Sequence, residues 1–173
     1  MGILPLAFFN FENDEEILEY IELFNKCSHN HPISNIGCLL YIRIAQAMLQ
    51  NKHISTQEAI KRAINNISNK YKIQEYQRIW NLSIINENME NIKSTGYVVD
   101  TLEAVVWCVA NNFSYEETVL FAVDLGGDTD TIAALAGGLA GIYYKVVPEV
   151  WISNTRRQKM IKKMCKKFEG GII

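Results

Sequence analysis

The sequence lacks the features that mark several protein classes. Its four cysteines form no C-x-x-C pair and no zinc-finger spacing, so we predict buried, reduced thiols, as in a cytoplasmic protein. No N-terminal segment joins a basic flank to an apolar core, so we expect no secretion signal. We also expect no membrane span, because the longest apolar candidate, 131–147, is rich in glycine and alanine and contains Lys145. The cysteines are Cys27, Cys38, Cys108 and Cys165.

An excess of positive charge is also missing. The 17 lysine and arginine residues are outnumbered by 19 acidic ones, for a formal net charge of -2. This balance gives no general electrostatic reason to expect nucleic acid or an anionic membrane as a partner. Hydrophobic residues make up 49% and charged residues 21%, values typical of a folded globular chain. The length of 173 residues predicts a single domain, 1–173, with a real core.

What the sequence has is a series of helix signals. The stretch 13–16 starts a helix with Ile17, Leu18, Ile21 and Phe24 as its apolar stripe. Pro32 suits the first turn of the next helix, and 36–49 is apolar almost all round, which predicts a central, buried helix. A polar turn is predicted over 51–53, and capping boxes open helices at 55–58 and 114–117.

Two segments are less defined. The stretch 71–91 fits a short helix and a loop. The stretch 98–109 is rich in valine, so a strand competes with a buried helix, and helical spacing without hairpin signals favours the helix. A basic, amphipathic last helix is predicted to point Met160, Ile161, Met164 and Phe168 inward. The fold class is therefore predicted to be all-α.

The chemistry is concentrated in the stretch 125–131, Leu-Gly-Gly-Asp-Thr-Asp-Thr. A glycine-containing loop allows Asp128 and Asp130 to turn towards one point, beside the Thr131 hydroxyl. Carboxylate and hydroxyl oxygens suit a hard cation such as Mg²⁺, and the helix that follows turns its positive end towards an anion. The alternative is that one aspartate only caps that helix.

Two stretches carry a family resemblance. Residues 126–134 (GGDTDTIAA), with the small residues of 136–141 and the tyrosines at 143–144, resemble the C-terminal metal motif of the ADP-ribosylglycohydrolases. Residues 94–104 (STGYVVDTLEA) also resemble this family, at the right distance upstream. The resemblance implies an orthogonal multi-helix bundle and hydrolysis of the glycosidic bond that joins ADP-ribose to a protein or small molecule.

The resemblance also implies roles for individual residues. Asp128, Asp130 and Thr131 match ligands of a two-Mg²⁺ centre, against which the ribose lies. Gly126 and Gly127 would let the loop pass close to the ribose or the metal.

At the nucleotide end, Ser28-His29 resembles a Thr-His pair of the family, which makes His29 a candidate for contacting the diphosphate, while His31 is not a candidate. Gly96 and Tyr97 match a stretch whose ring lies by the adenine; the alternative for Tyr97 is a core tyrosine with a bonded hydroxyl. Asp124 stands where the family has an asparagine, and would add charge to the site or face solvent.

The resemblance covers only the C-terminal part of the family. The family's N-terminal helices, with an acidic Glu and a Thr-Asp-Asp-Thr stretch, have no counterpart in this sequence. We therefore expect weak or partial Mg²⁺ binding, and we can name no general acid or base. Three hypotheses stay open: an ADP-ribosylglycohydrolase, an inactive remnant or module that binds ADP-ribose or a partner protein, and a split enzyme completed by a separately encoded N-terminal half. The expected partners are ADP-ribose or an ADP-ribosylated substrate, and a separate N-terminal half or a second copy of the chain in a homo-oligomer.

Overall fold

The computed structural model describes residues 2–50 and 54–171, and within these ranges the protein is all-α, with nine α-helices joined by turns and short 3₁₀ segments. The predicted turn over 51–53 lies outside the described residues. The helices are α1 (Asp14–Asn25), α2 (Pro32–Gln50), α3 (Thr56–Asn66), α4 (Gln77–Trp80), α5 (Val98–Asn111), α6 (Tyr115–Asp124), α7 (Thr129–Tyr144), α8 (Glu149–Asn154) and α9 (Gln158–Glu169). The prediction of an all-α fold is confirmed.

Side-chain caps begin three of these helices where the sequence predicted them. The side chain of Asn13 accepts the backbone N–H of Glu16 and opens α1. Ser55 and Ser114 cap α3 and α6 by accepting the N–H of the glutamate three residues on. Local hydrogen bonds thus set the start of each helix before any tertiary contact is considered.

The centre of the core is α2, which packs against α1, α3, α5 and α7. Its side chains Leu39, Leu40, Ile42 and Ile44 are fully buried. By length and composition α2 could also cross a bilayer, so the prediction that 131–147 is the longest apolar candidate was wrong. In the fold 61% of its most apolar window is buried, as expected for a core helix.

The segment between α3 and α5 is a chain of short turns, as its weak periodicity indicated. Its anchor is Tyr76, whose hydroxyl donates to the Ile33 carbonyl at 2.9 Å and reaches the surface of α2 at Gly37. Trp80 donates to the Ile73 carbonyl at 2.7 Å. The segment 98–109 is a buried helix, α5, so the strand alternative was wrong. On α5, Glu103 pairs with Arg78 of α4.

The small residues of α7 allow close packing, as predicted. A methyl group at Gly137 would lie 3.2 Å from Val119 of α6, and one at Gly138 would lie 2.9 Å from both Leu4 and the Tyr41 hydroxyl. The Tyr41 hydroxyl donates to the Leu135 carbonyl at 2.9 Å, which joins α2 to α7. The middle of α7 therefore packs closely against the core, and the first turn of the same helix carries the predicted metal ligands.

Some predicted burial was wrong. Met160, Ile161 and Met164 of α9 are exposed, and only Phe168 is partly buried, against Phe8 and Phe9. Periodicity identified the apolar stripe but could not show that no neighbouring helix covers it. Phe24 of α1 is also exposed, because it lies at the mouth of a cleft.

The cysteines are only partly buried. Cys108 is buried and Cys38 is intermediate, whereas Cys27 and Cys165 are exposed, so the prediction of four buried thiols was wrong for two of them. Cys27 lies in the turn after α1, and Cys165 lies on the poorly covered α9. All four are free thiols.

Candidate metal and nucleotide site

The loop between α6 and α7 is shaped by two glycines with left-handed backbone, Gly126 (φ +73°) and Gly127 (φ +63°). A methyl group at Gly127 would lie 2.1 Å from the carbonyl oxygen of Ser94, so only glycine fits there. That carbonyl accepts the Asp128 N–H at 2.8 Å, and the Ser94 hydroxyl donates to the Leu125 carbonyl at 3.0 Å. Ser94 therefore fastens the whole loop to the segment that leads into α5.

The predicted ligands lie at the first turn of α7, which begins at Thr129, so Asp130 and Thr131 belong to the helix and not to the predicted loop. Asp128 is the N-cap residue, but its side chain makes no capping hydrogen bond to the helix backbone. Its Oδ1 instead accepts the Thr131 hydroxyl at 2.9 Å. The Asp130 Oδ1 accepts the backbone N–H of Thr131 at 2.9 Å. The arrangement differs from simple capping by Asp128 and leaves the Thr131 hydroxyl lone pairs available.

A cleft of about 410 Å³ opens beside Asp128 and Thr131. Its walls come from the end of α1, the turn after it, the first turns of α2, the segment before α5 and the start of α7. The lining residues are Gly2, Ile3, Phe24, Asn25, Ser28, His29, Ser34, Cys38, Gly96, Val98, Asp128 and Thr131. In the described chain, Asp128 is the one carboxylate in this lining, so the cleft combines one anionic end with walls of mixed polar and apolar character.

His29 reaches the cleft on the turn between α1 and α2. This turn is held by a row of amides: the Asn25 side chain donates to Asn35 at 2.7 Å, and Asn35 donates to Asn30 at 3.1 Å. Asn35 is buried, so its hydrogen bonds are made away from water. His31 instead accepts the Ile33 N–H at 3.3 Å and serves the start of α2.

The segment before α5 brings one of its two candidates to the cleft. Gly96 lines it, and a methyl group there would meet the Asp128 Oδ2 at 3.5 Å. Tyr97 is half-exposed at 50%, which overturns the alternative of a core tyrosine. Among the described residues that line the cleft, Tyr97 is absent, so its ring lies outside it in this conformation. Asp100 accepts the Thr95 hydroxyl at 2.7 Å and acts as a helix-start residue.

A second cleft, of about 440 Å³, adjoins the first. Gly2 and Thr131 line both, whereas Asp130 lines only the second, together with Tyr41 and residues of α7. Because the two aspartates are two positions apart at a helix start, their carboxylates serve neighbouring clefts. Thr131 lies between them. Sequence reasoning placed both carboxylates at one point and did not anticipate this division.

The donor types, two carboxylates and a hydroxyl, suit a hard cation, but the two carboxylates line neighbouring clefts and do not meet at one point in this structure. Asp128, Asp130 and Thr131 supply two carboxylates and a hydroxyl within one helical turn. In the ranges 2–50 and 54–171, no three His, Cys, Asp or Glu side chains converge as a metal cluster. An ion held by these three residues alone would therefore keep much of its coordination shell as water, which Mg²⁺ accepts.

Burial favours the protonated form of two groups that line the clefts, Cys38 and Tyr41. Desolvation raises the pKa of the Cys38 thiol, with the Asn25 amide acting weakly in the opposite direction, and it also raises the pKa of the Tyr41 hydroxyl. Asp124 is exposed at the end of α6 and lines neither cleft, so its alternative of facing solvent is the one observed.

Sequence reasoning missed several wall residues. Asn25, Ser34 and Cys38 line the cleft, and Ser94 fixes the loop. Asn25 ends α1 and Ser34 lies three residues after His31, so closeness in sequence to the His29 turn was the one signal that could have found them. The contact of Ser94 with the loop spans 31 positions, and no local pattern reveals it.

Comparison with known proteins identifies the group to which the fold and site belong. The family profile described as ADP-ribosylglycohydrolase matches residues 1–172. The ADP-ribosylarginine hydrolase Tri1 of Pseudomonas putida is 39% identical over 84 residues, which are 47% of this chain and 23% of that protein. The ADP-ribosyl-[dinitrogen reductase] glycohydrolase of Rhodospirillum rubrum is 24% identical over 155 residues, which are 88% of this chain and 48% of that protein.

A shorter match with a higher identity is with the human ADP-ribosylhydrolase ARH3, which is 52% identical over 40 residues, or 22% of this chain and 11% of that protein. The chain thus spans less than half the length of these curated relatives.

Proposed function

Because the chain belongs to the ADP-ribosylglycohydrolase family, we propose that it forms the metal- and nucleotide-binding part of a Mg²⁺-dependent hydrolase of the ADP-ribose glycosidic bond. The observation that carries the proposal is the contact between the Thr131 hydroxyl and the Asp128 carboxylate at the edge of a cleft large enough for part of a nucleotide.

In this proposal Asp128, Asp130 and Thr131 hold the cation, and Gly127 and Gly96 keep the loop walls thin enough for the ribose to come close. When bound, Mg²⁺ supplies positive charge that orients ribose hydroxyls and water. His29 offers a ring nitrogen to the diphosphate from the opposite wall. Tyr97 would have to turn towards the cleft to stack on the adenine, and its exposure leaves it free to do so.

The chain would not complete the reaction with its own described residues. Hydrolysis requires a group that moves a proton at the glycosidic bond, and the cleft offers Asp128, already engaged by Thr131, as its one described carboxylate. We therefore propose that an acidic residue from another segment, of the kind that precedes these motifs in the family, completes the site.

For the substrate class we propose ADP-ribose attached to a protein arginine. The support is the name of the Tri1 relatives, ADP-ribosylarginine hydrolase, from Pseudomonas putida and from Serratia proteamaculans, the latter 36% identical over 81 residues. The Rhodospirillum rubrum relative also acts on an ADP-ribosylated protein by its name.

Calorimetric titration with MgCl₂ tests the metal site. Replacing both ligands, Asp128→Ala and Asp130→Ala, should abolish the binding heat, because the hydroxyl of Thr131 alone holds Mg²⁺ poorly. The matched control is Asp124→Ala, which removes an exposed carboxylate of the same segment that lines neither cleft. Equal Mg²⁺ binding by the wild type and the double variant would reject the assignment.

Release of ADP-ribose from an arginine-modified protein tests the activity. We expect no turnover by the chain alone, and turnover when a segment with the family's Glu and Thr-Asp-Asp-Thr stretches is added. Turnover by the chain alone would refute the requirement for a second segment.

The second candidate function is a binding module, favoured by the shortage of carboxylates in the cleft. It predicts Mg²⁺-dependent binding of ADP-ribose with no release of ADP-ribose in either reaction. Binding without turnover in both reactions would decide for this alternative.

A further inference from the structure

The last helix, α9, presents an uncovered face of unusual character. Seven of the chain's 17 lysine and arginine residues lie between 156 and 167, and no acidic residue interrupts them. Along the same helix Met160, Ile161 and Met164 are exposed, with Met164 at 61%. The contact of α9 with the body runs through Phe168, whose ring lies 5.9 Å from that of Phe8. A stripe of this kind, apolar with basic flanks, is typical of a docking surface.

The first helix, α1, has an outer face of the opposite charge. Six of the 19 acidic residues lie between 12 and 22, and the first basic residue of the chain is Lys26. Tyr20, Leu23 and Phe24 are exposed between or beside these acids, with Leu23 at 60%. Glu19 and Glu22 lie on the same exposed side as Leu23, whereas Glu15 is already paired with Lys70.

We propose that α9 of one copy of this chain docks on α1 of a second copy, with its apolar stripe on Leu23 and Tyr20 and its lysines against the acids. The two helices have the same length, 12 residues or about 18 Å, and their exposed apolar residues span five positions on each, 160–164 and 20–24. In a two-fold dimer the contact occurs twice, because each copy offers both helices, and both apolar faces are covered by one type of contact.

Charge distinguishes this occupant from an anionic lipid surface. Lipid would cover α9 but would leave the apolar residues of α1 in water, and the acids of α1 would be repelled by the lipid headgroups. A second copy covers both faces at once. Phe24 of α1 also lines the nucleotide cleft, so the partner's α9 comes to lie at the rim of that cleft. The contact does not depend on the proposed hydrolase activity.

Charge reversal tests the pairing. Lys163→Glu with Lys167→Glu should weaken dimerisation by about tenfold or more, and so should Glu19→Lys with Glu22→Lys. The variant that carries all four changes has opposite charges on the two helices again, and its dissociation constant should lie within about threefold of that of the wild type. Such a recovery would show that the charges pair, because four changes that merely damaged the fold would not restore dimerisation. Sedimentation equilibrium gives the dissociation constants, and circular dichroism verifies that each variant is folded. Lys61→Glu on the outer face of α3 is the control and should leave the constant unchanged.

Three results together support the proposal. Dimerisation weakens with added salt, it is weakened in both double variants, and it returns in the quadruple variant. A wild-type chain that stays monomeric at about 100 μM, or a dimer that ignores the reversals, overturns it. Binding to phosphatidylglycerol vesicles through α9 by a monomeric chain also overturns it, in favour of a lipid surface.

Discussion

Adding one methyl group at Gly127 should damage the site far more than the same change at the preceding glycine. Both residues have positive φ, +73° at Gly126 and +63° at Gly127, so alanine at either position adopts a left-handed backbone that costs about 1 kcal/mol. The surroundings differ. A methyl group at Gly126 meets nothing within 4 Å, whereas one at Gly127 lies 2.1 Å from the Ser94 carbonyl oxygen. Gly126→Ala is therefore a matched control for backbone strain.

The expected loss of unfolding free energy follows from the displacement of the Ser94 carbonyl. The Ser94 carbonyl has to retreat from 2.1 Å to about the 3.4 Å of ordinary contact. That shift breaks its hydrogen bond with the Asp128 N–H, now 2.8 Å long, at a cost of about 1 kcal/mol, and overpacking adds about 1–3 kcal/mol. We expect Gly127→Ala to lower the free energy of unfolding by about 3–5 kcal/mol, and Gly126→Ala by about 1 kcal/mol.

Urea unfolding followed by circular dichroism measures both values. The midpoint of Gly127→Ala should fall below that of Gly126→Ala by about 1 M or more, for a slope of roughly 2 kcal/mol/M. Mg²⁺ binding should be lost in Gly127→Ala and retained in Gly126→Ala, since the displaced Asp128 is a ligand in the proposed site. Equal midpoints for the two variants would refute the claim that the Ser94 carbonyl sets the shape of the loop.

Three further predictions concern the core and the cleft wall. Gly37→Ala places a methyl group 2.3 Å from the Tyr76 hydroxyl and should lower the free energy of unfolding by about 2–3 kcal/mol. The control is Gly2→Ala, which should change it little because nothing lies within 4 Å of the added methyl group. Equal melting curves for the two variants would contradict this prediction. Asn35→Ala removes the buried centre of the amide row and should cost about 1–3 kcal/mol and weaken ADP-ribose binding, measured by urea unfolding and calorimetry; unchanged stability would contradict it. Burial raises the pKa of Glu103 above 4.5, with its arginine partner opposing, so its contribution to stability is present below pH 4.5 and lost as pH rises through the folded pKa; Glu103→Gln should flatten that decline in pH-dependent unfolding, and parallel curves would contradict this.

Local chemistry explains why much of the fold was predictable. The caps at Ser55 and Ser114 are decided within four residues, so the sequence alone placed the starts of α3 and α6. Apolar residues cover almost the whole circumference of α2, so the sequence alone predicted that this helix is buried. The position of an apolar stripe on a helix was predictable, but whether another part of the chain buries it was not. Met160 and Met164 have the helical spacing of a buried stripe, and both are exposed. Whether such a stripe is covered depends on tertiary packing, which periodicity does not encode.

The candidate site shows the same division. The stretch around Asp128 was identified from residue types and family resemblance, whereas the amide row of Asn35 and the fastening by Ser94 join residues 10 and 31 positions apart. Residue types alone did not show that α7 begins at Thr129, inside the stretch expected to be a loop. Because Asp130 lies on the helix and Asp128 precedes it, the two carboxylates line neighbouring clefts instead of meeting at one point.

The hydrogen bonds made by Ser94 couple the two ends of the cleft. The residue lies two positions before Gly96, on the proposed nucleotide side, and its carbonyl and hydroxyl accept from and donate to the backbone of Asp128 and Leu125 on the proposed cation side. Because the two ends are joined, a ligand that immobilises one end also reduces the motion of the other end. Binding of the second ligand then causes a smaller loss of the protein's conformational entropy. Magnesium and ADP-ribose should therefore reinforce each other's affinity by equal factors, even if they never touch.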